Sequence, residues 1–361
     1  MLIYLVEPYY TGSHKDWAQG LIDNSKHEIL LFQMPGRFWK WRMQGSAVTI
    51  AEQINAEKRK PELILCSGMI DLACFRSLIK FKDVKITLYM HENQLTYPIS
   101  QYSKDVYQEV AYGYLNYKSC LCADFVIFNS QYHQEKFLEA CQILLQKMPD
   151  HKNLKSIETI RSKSSIIPVG MNKNRIDDFR KNNPITSQDY PTLLWNHRWE
   201  HDKNPELFLR LVRDLAIKGL EFGLNITNVS SPKVIGQLQV EFGQYIRFVG
   251  YCNSYDEYLA LILQSDILPV TSNHDFFGIS VLEAMYLDCI PLLPKHLCYQ
   301  EHFTQPKEEL FYDSYDELFQ KTTSLLSSHN QTDSQIEGLP IKDYNWKHVI
   351  TQYDKFLDNI N

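Results

Sequence analysis

The chain has no apolar run approaching the roughly 18 residues that a membrane-spanning helix requires. Its first residues, Met1-Leu2-Ile3-Tyr4-Leu5-Val6, are followed at once by Glu7-Pro8, with no basic flank and no small-residue cleavage site. No membrane span and no signal peptide are therefore expected, and the cytoplasm is the expected compartment. No C-x-x-C pair occurs among the eight cysteines. Several sit in apolar runs such as Leu63-Ile64-Leu65-Cys66, the pattern of buried free thiols rather than of disulfides or a zinc framework. There is no excess of positive charge: 37 Lys and Arg stand against 43 Asp and Glu, a net charge of −6. That argues against non-specific nucleic-acid binding but leaves room for a local basic patch. Internal repeats and low-complexity tracts are also missing, which excludes solenoids and propellers.

What remains is a globular composition, 44% apolar and 22% charged over 361 residues, a length that suits two α/β cores better than one. Short β-branched runs alternate with helical stretches in both halves. Leu2–Val6, Leu63–Cys66, Ile86–Met90 and Phe125–Phe128 read as strands in the first. Leu193–Asn196, Ile246–Val249, Ile267–Val270 and Ile290–Leu293 do so in the second. Such alternation predicts α/β architecture: two doubly wound, Rossmann-like domains with parallel sheets, facing each other across a ligand cleft at the strands' carboxyl ends. The domains are placed at residues 1–172 and 192–344, joined by a polar, proline-bearing linker at 173–191. A helical segment at 345–361 is expected to pack back on one of them.

The polar motifs follow strands, as that architecture requires. Gly12-Ser13-His14 opens a helix after the first strand, where backbone N–H groups can meet an anion; it also reads as an ordinary β–α turn. His91-Glu92-Asn93 follows Ile86–Met90 and reads equally as ligand contacts or as a self-capped loop. In Asn196-His197-Arg198-Trp199-Glu200-His201-Asp202-Lys203-Asn204-Pro205, Arg198 and Lys203 flank a helix start, an arrangement suited to a diphosphate. The embedded H-x-x-E-H match to zinc peptidases precedes that helix instead of lying on it, which disfavours zinc chemistry. His274-Asp275-Phe276-Phe277-Gly278-Ile279-Ser280-Val281-Leu282-Glu283 places two carboxylates around a glycine-opened helix, and such acids can hold polyol hydroxyls. Finally, Arg37, Lys40 and Arg42 interleave with Phe38, Trp39 and Trp41, cations for phosphates beside aromatic faces for bases, the combination used for loop RNA. A loop packing its tryptophans on the surface is the other reading.

Arg198-x4-Lys203, Phe248-Val249-Gly250 and Asp275-x7-Glu283 together resemble the nucleotide-binding half of retaining GT-B glycosyltransferases of the family-4 type. The Gly12 loop and Ile167-Pro168-Val169-Gly170-Met171 fit the same pattern. Glu7-Pro8-Tyr9-Tyr10-Thr11-Gly12-Ser13-His14-Lys15, the 37–43 segment and His91-Glu92-Asn93-Gln94-Leu95-Thr96-Tyr97-Pro98 resemble the glycosyltransferase-like domain-containing protein 1 family. The characterised function of that family is tRNA-queuosine α-mannosyltransferase. The resemblance implies an acceptor-side N-terminal domain, a nucleotide-sugar-binding C-terminal domain, GDP-mannose as donor and queuosine-bearing tRNA as acceptor. It implies catalytic roles for His91, Arg198, Lys203 and Asp275. The donor set is Gly12, Ser13, Arg198, Lys203, Phe277, Gly278, Ile279 and Glu283. The acceptor set is His14, Arg37, Trp39, Lys40, Trp41, Arg42, Glu92 and Asn93. No carboxylate pair suited to a divalent ion is seen, so no metal and no other cofactor is expected. One departure stands out: the family's first acid is usually Glu, and here it is Asp275. Other readings kept open are a same-fold transferase with another donor or with a lipid or small-molecule acceptor, a nucleotide-sugar epimerase, and a tRNA-binding protein without catalysis. Oligomeric state is not legible.

Overall fold

The computed structural model describes residues 1–98, 106–184, 189–327 and 339–360. The chain forms two compact units, Met1–Met171 with Asp343–Asn361, and Asn172–Lys342.

The first unit carries strands β1 (Leu2–Tyr10), β2 (Glu28–Pro35), β3 (Leu63–Ser67), β4 (Lys85–Met90), β5 (Phe125–Phe128) and β6 (Ser164–Ile166). Helices α1 (Gly12–Asn24), α2 (Trp39–Ala56), α3 (Leu72–Leu78), α4 (Val106–Cys122), α5 (Gln131–Gln146) and α6 (Lys155–Ser162) alternate with them. All strand pairs are parallel, in the order β2-β1-β3-β4-β5-β6. Strands β1, β3 and β4 are buried almost throughout, because helices cover both faces of a parallel sheet.

The second unit opens with α7 (Lys173–Asn182) and continues through β7 (Thr192–Trp195), α8 (Pro205–Ile217), β8 (Gly223–Ile226), α9 (Pro232–Phe242) and β9 (Ile246–Val249). It then runs through α10 (Tyr255–Leu263), β10 (Ile267–Pro269), α11 (Ile279–Tyr286), β11 (Ile290–Pro294), β12 (Phe311–Tyr312) and α12 (Tyr315–Ser327). Its sheet is again parallel, in the order β12-β11-β10-β7-β8-β9. The order reverses between β7 and β10, and a doubly wound sheet opens a ligand crevice at such a point. The loops after these two strands hold Lys203 and Asp275.

One sequence expectation changes. Residues 173–182, expected as linker, form α7. Ile176 is fully buried, and around it Arg175 pairs with Asp256, Arg180 with Asp288, and Asp177 accepts a hydrogen bond from the Tyr286 hydroxyl. Residues 185–188 of that segment lie outside the described residues. The final helix, α13 (Trp346–Asn359), packs on the first unit. Its Tyr353 hydroxyl accepts from Trp17 Nε1 at 3.0 Å, and Trp346 fills the space beside Gly20 and Gly170, where any side chain would collide with the indole.

Candidate active site

In the second unit, Asn204 caps α8, its side chain accepting from Leu207 N at 3.3 Å, and Pro205 takes the first helical position. This cap fixes Lys203 just ahead of the helix. The Lys203 ammonium is buried and donates to the His274 carbonyl at 2.9 Å and to Asp275 Oδ2 at 3.0 Å. The same Oδ2 accepts from the Tyr299 hydroxyl at 2.9 Å. Burial pushes the Asp275 carboxyl up, but Lys203 and these hydrogen bonds outweigh it and hold the group below the ordinary range. Burial also drives His197 down to about 3 and His274 down to about 4, so neither imidazole adds charge near pH 7. Positive charge here comes from Lys203 and from Arg198, a half-exposed guanidinium 3.5 Å from both Glu200 and Asp202.

Gly278 stands just before α11 at φ +73°, a left-handed conformation that favours glycine. A Cβ there would lie 2.7 Å from the Tyr299 ring, and Tyr299 is tethered to Asp275. We expect Gly278→Ala to cost about 1–3 kcal/mol through backbone strain and this collision, and to weaken donor binding by displacing Asp275. Urea denaturation checks it; a variant as stable as the parent contradicts it. Phe277 is buried, its carbonyl accepting from His302 Nε2 at 2.6 Å, and Ile279 begins the helix. Glu283 accepts from Tyr255 OH at 2.6 Å and from Tyr258 OH at 3.2 Å, one phenol per carboxylate oxygen. Asn196, at the end of β7, donates to Tyr258 OH at 3.1 Å and ties this group to the sheet.

The H-x-x-E-H residues do not share an α-helix. His197 follows β7, and His201 begins a short 3-10 turn, His201–Lys203. The two imidazoles thus lack the common helix face that the zinc-peptidase reading needs.

In the first unit, Gly12 and Ser13 begin α1, with Gly12 at φ +48°. His14 is buried against Glu7, its Nδ1 3.1 Å from Oε2. His91 follows β4 and is walled by the rings of His14, Trp17 and Tyr89, with centroids at 4.1, 4.6 and 4.7 Å. Glu92 accepts from Gln94. Asn93, expected on the acceptor side, is fully buried: its Oδ1 accepts from Leu95 N, Thr96 N and the Thr96 hydroxyl. It shapes the loop, because a side-chain oxygen that satisfies two backbone donors is already used.

The 37–42 segment is a helix start rather than a loop, since α2 begins at Trp39 after Phe38 in a left-handed conformation at φ +56°. That turn divides its side chains. Arg42 is buried and donates through Nε to the Pro35 carbonyl at 3.2 Å. Trp39 packs with Met43, Met69 and Tyr112. Arg42 and Trp39 therefore serve the fold here. Arg37 is exposed and Lys40 partly so, and Phe38 and Trp41 are 71% and 61% exposed. Trp41 lies across Gly45 one turn on, where a Cβ would meet the indole at 2.7 Å. Two residues were missed from the sequence: Glu7 and Tyr299. Glu7 had a readable signal, a carboxylate directly after an unbroken apolar run.

Comparison with known proteins matches this arrangement on both units. Residues 2–171 match the family model described as tRNA-queuosine alpha-mannosyltransferase N-terminal, and residues 176–339 match glycosyl transferases group 1. Solved structures of the same fold include sucrose-phosphate synthase from Thermosynechococcus elongatus, at TM-score 0.69 and 16% identity over 100% of this chain and 99% of that one. The catalytic domain of starch synthase IV from Arabidopsis thaliana, bound to ADP and acarbose, aligns at TM-score 0.66 and 11% identity over 99% and 98%. Two parallel doubly wound units with these loops make the chain a glycosyltransferase of the GT-B fold. The tRNA-queuosine alpha-mannosyltransferase of Drosophila melanogaster is 31% identical over 369 residues, 97% of this chain and 95% of the relative. The chain belongs to the tRNA-queuosine alpha-mannosyltransferase family. No helix among the described residues is long and apolar enough to cross a membrane.

Proposed function

We propose that this chain transfers mannose from GDP-mannose to queuosine in the anticodon loop of tRNA, with retention at the anomeric carbon, in the cytoplasm and without a metal. The observation that carries this reading is the likeness to a tRNA-queuosine alpha-mannosyltransferase along nearly the whole of both chains. The chemistry of the site supports it. Cleaving the sugar–phosphate bond builds negative charge on the departing phosphate, which fixed cations and N–H dipoles stabilise without reorganising. An ammonium has three donors. Lys203 spends two on His274 and Asp275, and the third serves a phosphate oxygen together with Arg198 and the N–H groups that open α11. Both bonds to Asp275 fall on Oδ2, which leaves Oδ1 for a sugar hydroxyl. Tyr299 and Lys203 thus brace the shorter acid that stands where the family usually has Glu. Glu283, held by its two tyrosines, is the carboxylate offered to the ribose diol. Exposed Arg37, Phe38 and Trp41, with the half-buried Lys40, offer cations and stacking faces for the tRNA loop.

The donor half is tested by offering a panel of nucleotide sugars with tRNA in the presence of a chelator, then assigning the product's anomeric configuration by NMR. GDP-mannose consumption and an α-linkage are expected. Consumption of a uridine donor instead, or a strict need for a divalent ion, contradicts it.

A further inference from the structure

Glu7 has no role in the reading above, yet among the described residues of the first unit it is the most enclosed Asp, Glu, Lys or Arg, with 0% exposure. Its Oε1 accepts from Tyr9 N at 2.9 Å, and its Oε2 accepts from His14 Nδ1 at 3.1 Å. His91 Nε2 lies 3.8 Å from that same Oε2, is buried, and makes no hydrogen bond. The two imidazoles are in contact, with ring centroids 4.1 Å apart and planes at 38°. Among the described residues, the ion pairs of Glu7 run to these two histidines alone. A carboxylate removed from water needs a proton or a cation beside it. Two touching imidazoles cannot both be charged in a low-dielectric interior. One proton therefore serves the pair, and the hydrogen bond to Glu7 places it on His14.

We propose that Glu7 is a positioning residue for His14: it grips Nδ1–H, fixes the ring at the start of α1 and keeps His14 a cationic donor to a phosphate oxygen of the substrate, beside a neutral His91. This rests on the proposed function, which offers two sources of that oxygen, the donor diphosphate and the tRNA backbone. The surrounding charges agree. Burial pushes His14 down, but Glu7, by charge and by hydrogen bond, with Glu92 behind it, outweighs burial and raises it. Burial, with His14 and His133 alongside, holds His91 well below its ordinary value. The titratable groups bearing on the two rings are Glu7 and Tyr9 from β1, Tyr89 from β4, Glu92 from the loop after β4, and His133 from α5. The same three donor groups, Glu7, His14 and His91, could surround a metal ion, since their ligand atoms all lie within 4.8 Å of one another; the test separates the two.

The experiment compares the full-length wild type, Glu7→Gln and Glu7→Asp by 15N NMR of the histidine rings. GDP and unmodified tRNA are each titrated across the neutral range. In the wild type His14 should carry protons on both nitrogens at pH 7. Phosphate affinity should be full below the raised His14 pKa and fall as pH rises through it. Glu7→Gln should move that fall to lower pH and weaken binding at neutral pH roughly tenfold, with Glu7→Asp restoring most of it. A shift in the GDP titration assigns the oxygen to the donor, and one in the tRNA titration assigns it to the backbone. A neutral His14 in the wild type at pH 7, unmoved midpoints in Glu7→Gln, or stoichiometric metal lost on Glu7→Gln would overturn the proposal. If Glu7→Gln does not fold, the wild-type NMR titration and Glu7→Asp decide. None of these readouts needs transfer to queuosine, so failure of the acceptor assignment would appear separately.

Discussion

Replacing Lys203 with alanine is expected to lower kcat/KM for transfer about 100- to 1000-fold, the loss typical when one preorganised group facing developing charge is removed. Lys203 is buried, its position is set by the Asn204 cap, and its ammonium is held by His274 O and Asp275. In the proposed transfer it would meet the leaving diphosphate without first having to be ordered. The charge it answers grows as the bond breaks, so kcat should fall more than the affinity for the donor. Removal also strips Asp275 of its main counter-charge, which should raise that carboxyl and loosen the sugar. Steady-state kinetics with varied donor, alongside a GDP titration, reads both effects. Wild-type kcat with only a raised KM would mean that Lys203 binds ground state and transition state alike.

The second large effect is expected at the other substrate. Phe38→Ala combined with Trp41→Ala should weaken tRNA binding by about 1–3 kcal/mol for each base that loses its stacking partner. GDP affinity and slow donor hydrolysis should stay as they were. Both rings are held open by backbone: Phe38 by its left-handed turn, Trp41 by the gap at Gly45. Most of their surface is exposed, so truncation removes little from the core. Filter binding with unmodified and modified tRNA measures the change. Equal loss of GDP binding would instead point to damage of the unit as a whole.

The fold was legible because its signals are local. Phe125–Phe128 and Ile246–Val249 have the observed bounds, and the glycine that opens α11 was placed correctly. What failed depends on partners distant in sequence. The start of α2 looked like a loop because a run of Trp, Lys and Arg has no apolar period; Trp39, partly buried, finds its packing partners only when Met69 and Tyr112 arrive from elsewhere. Helix α7 was invisible because it buries a single side chain, Ile176, and its other contacts are polar pairs to Asp256 and Asp288. At the site, Lys203, Asp275 and Glu283 could be named from spacing. Tyr299 could not, since its contact with Asp275 spans two loops. Arg42 and Asn93 have side chains suited to ligands, and only the structure shows that backbone groups already engage the Arg42 Nε and the Asn93 Oδ1.

The most direct test of the account pairs two tRNA samples identical except for queuosine, incubates each with the protein and GDP-mannose, and weighs the nucleosides after digestion. The account predicts a hexose added to queuosine and to no other nucleoside, with nothing added in the sample that lacks it. A hexose on another nucleoside, or GDP released with no change in the tRNA, would contradict the acceptor on which the proposed function rests.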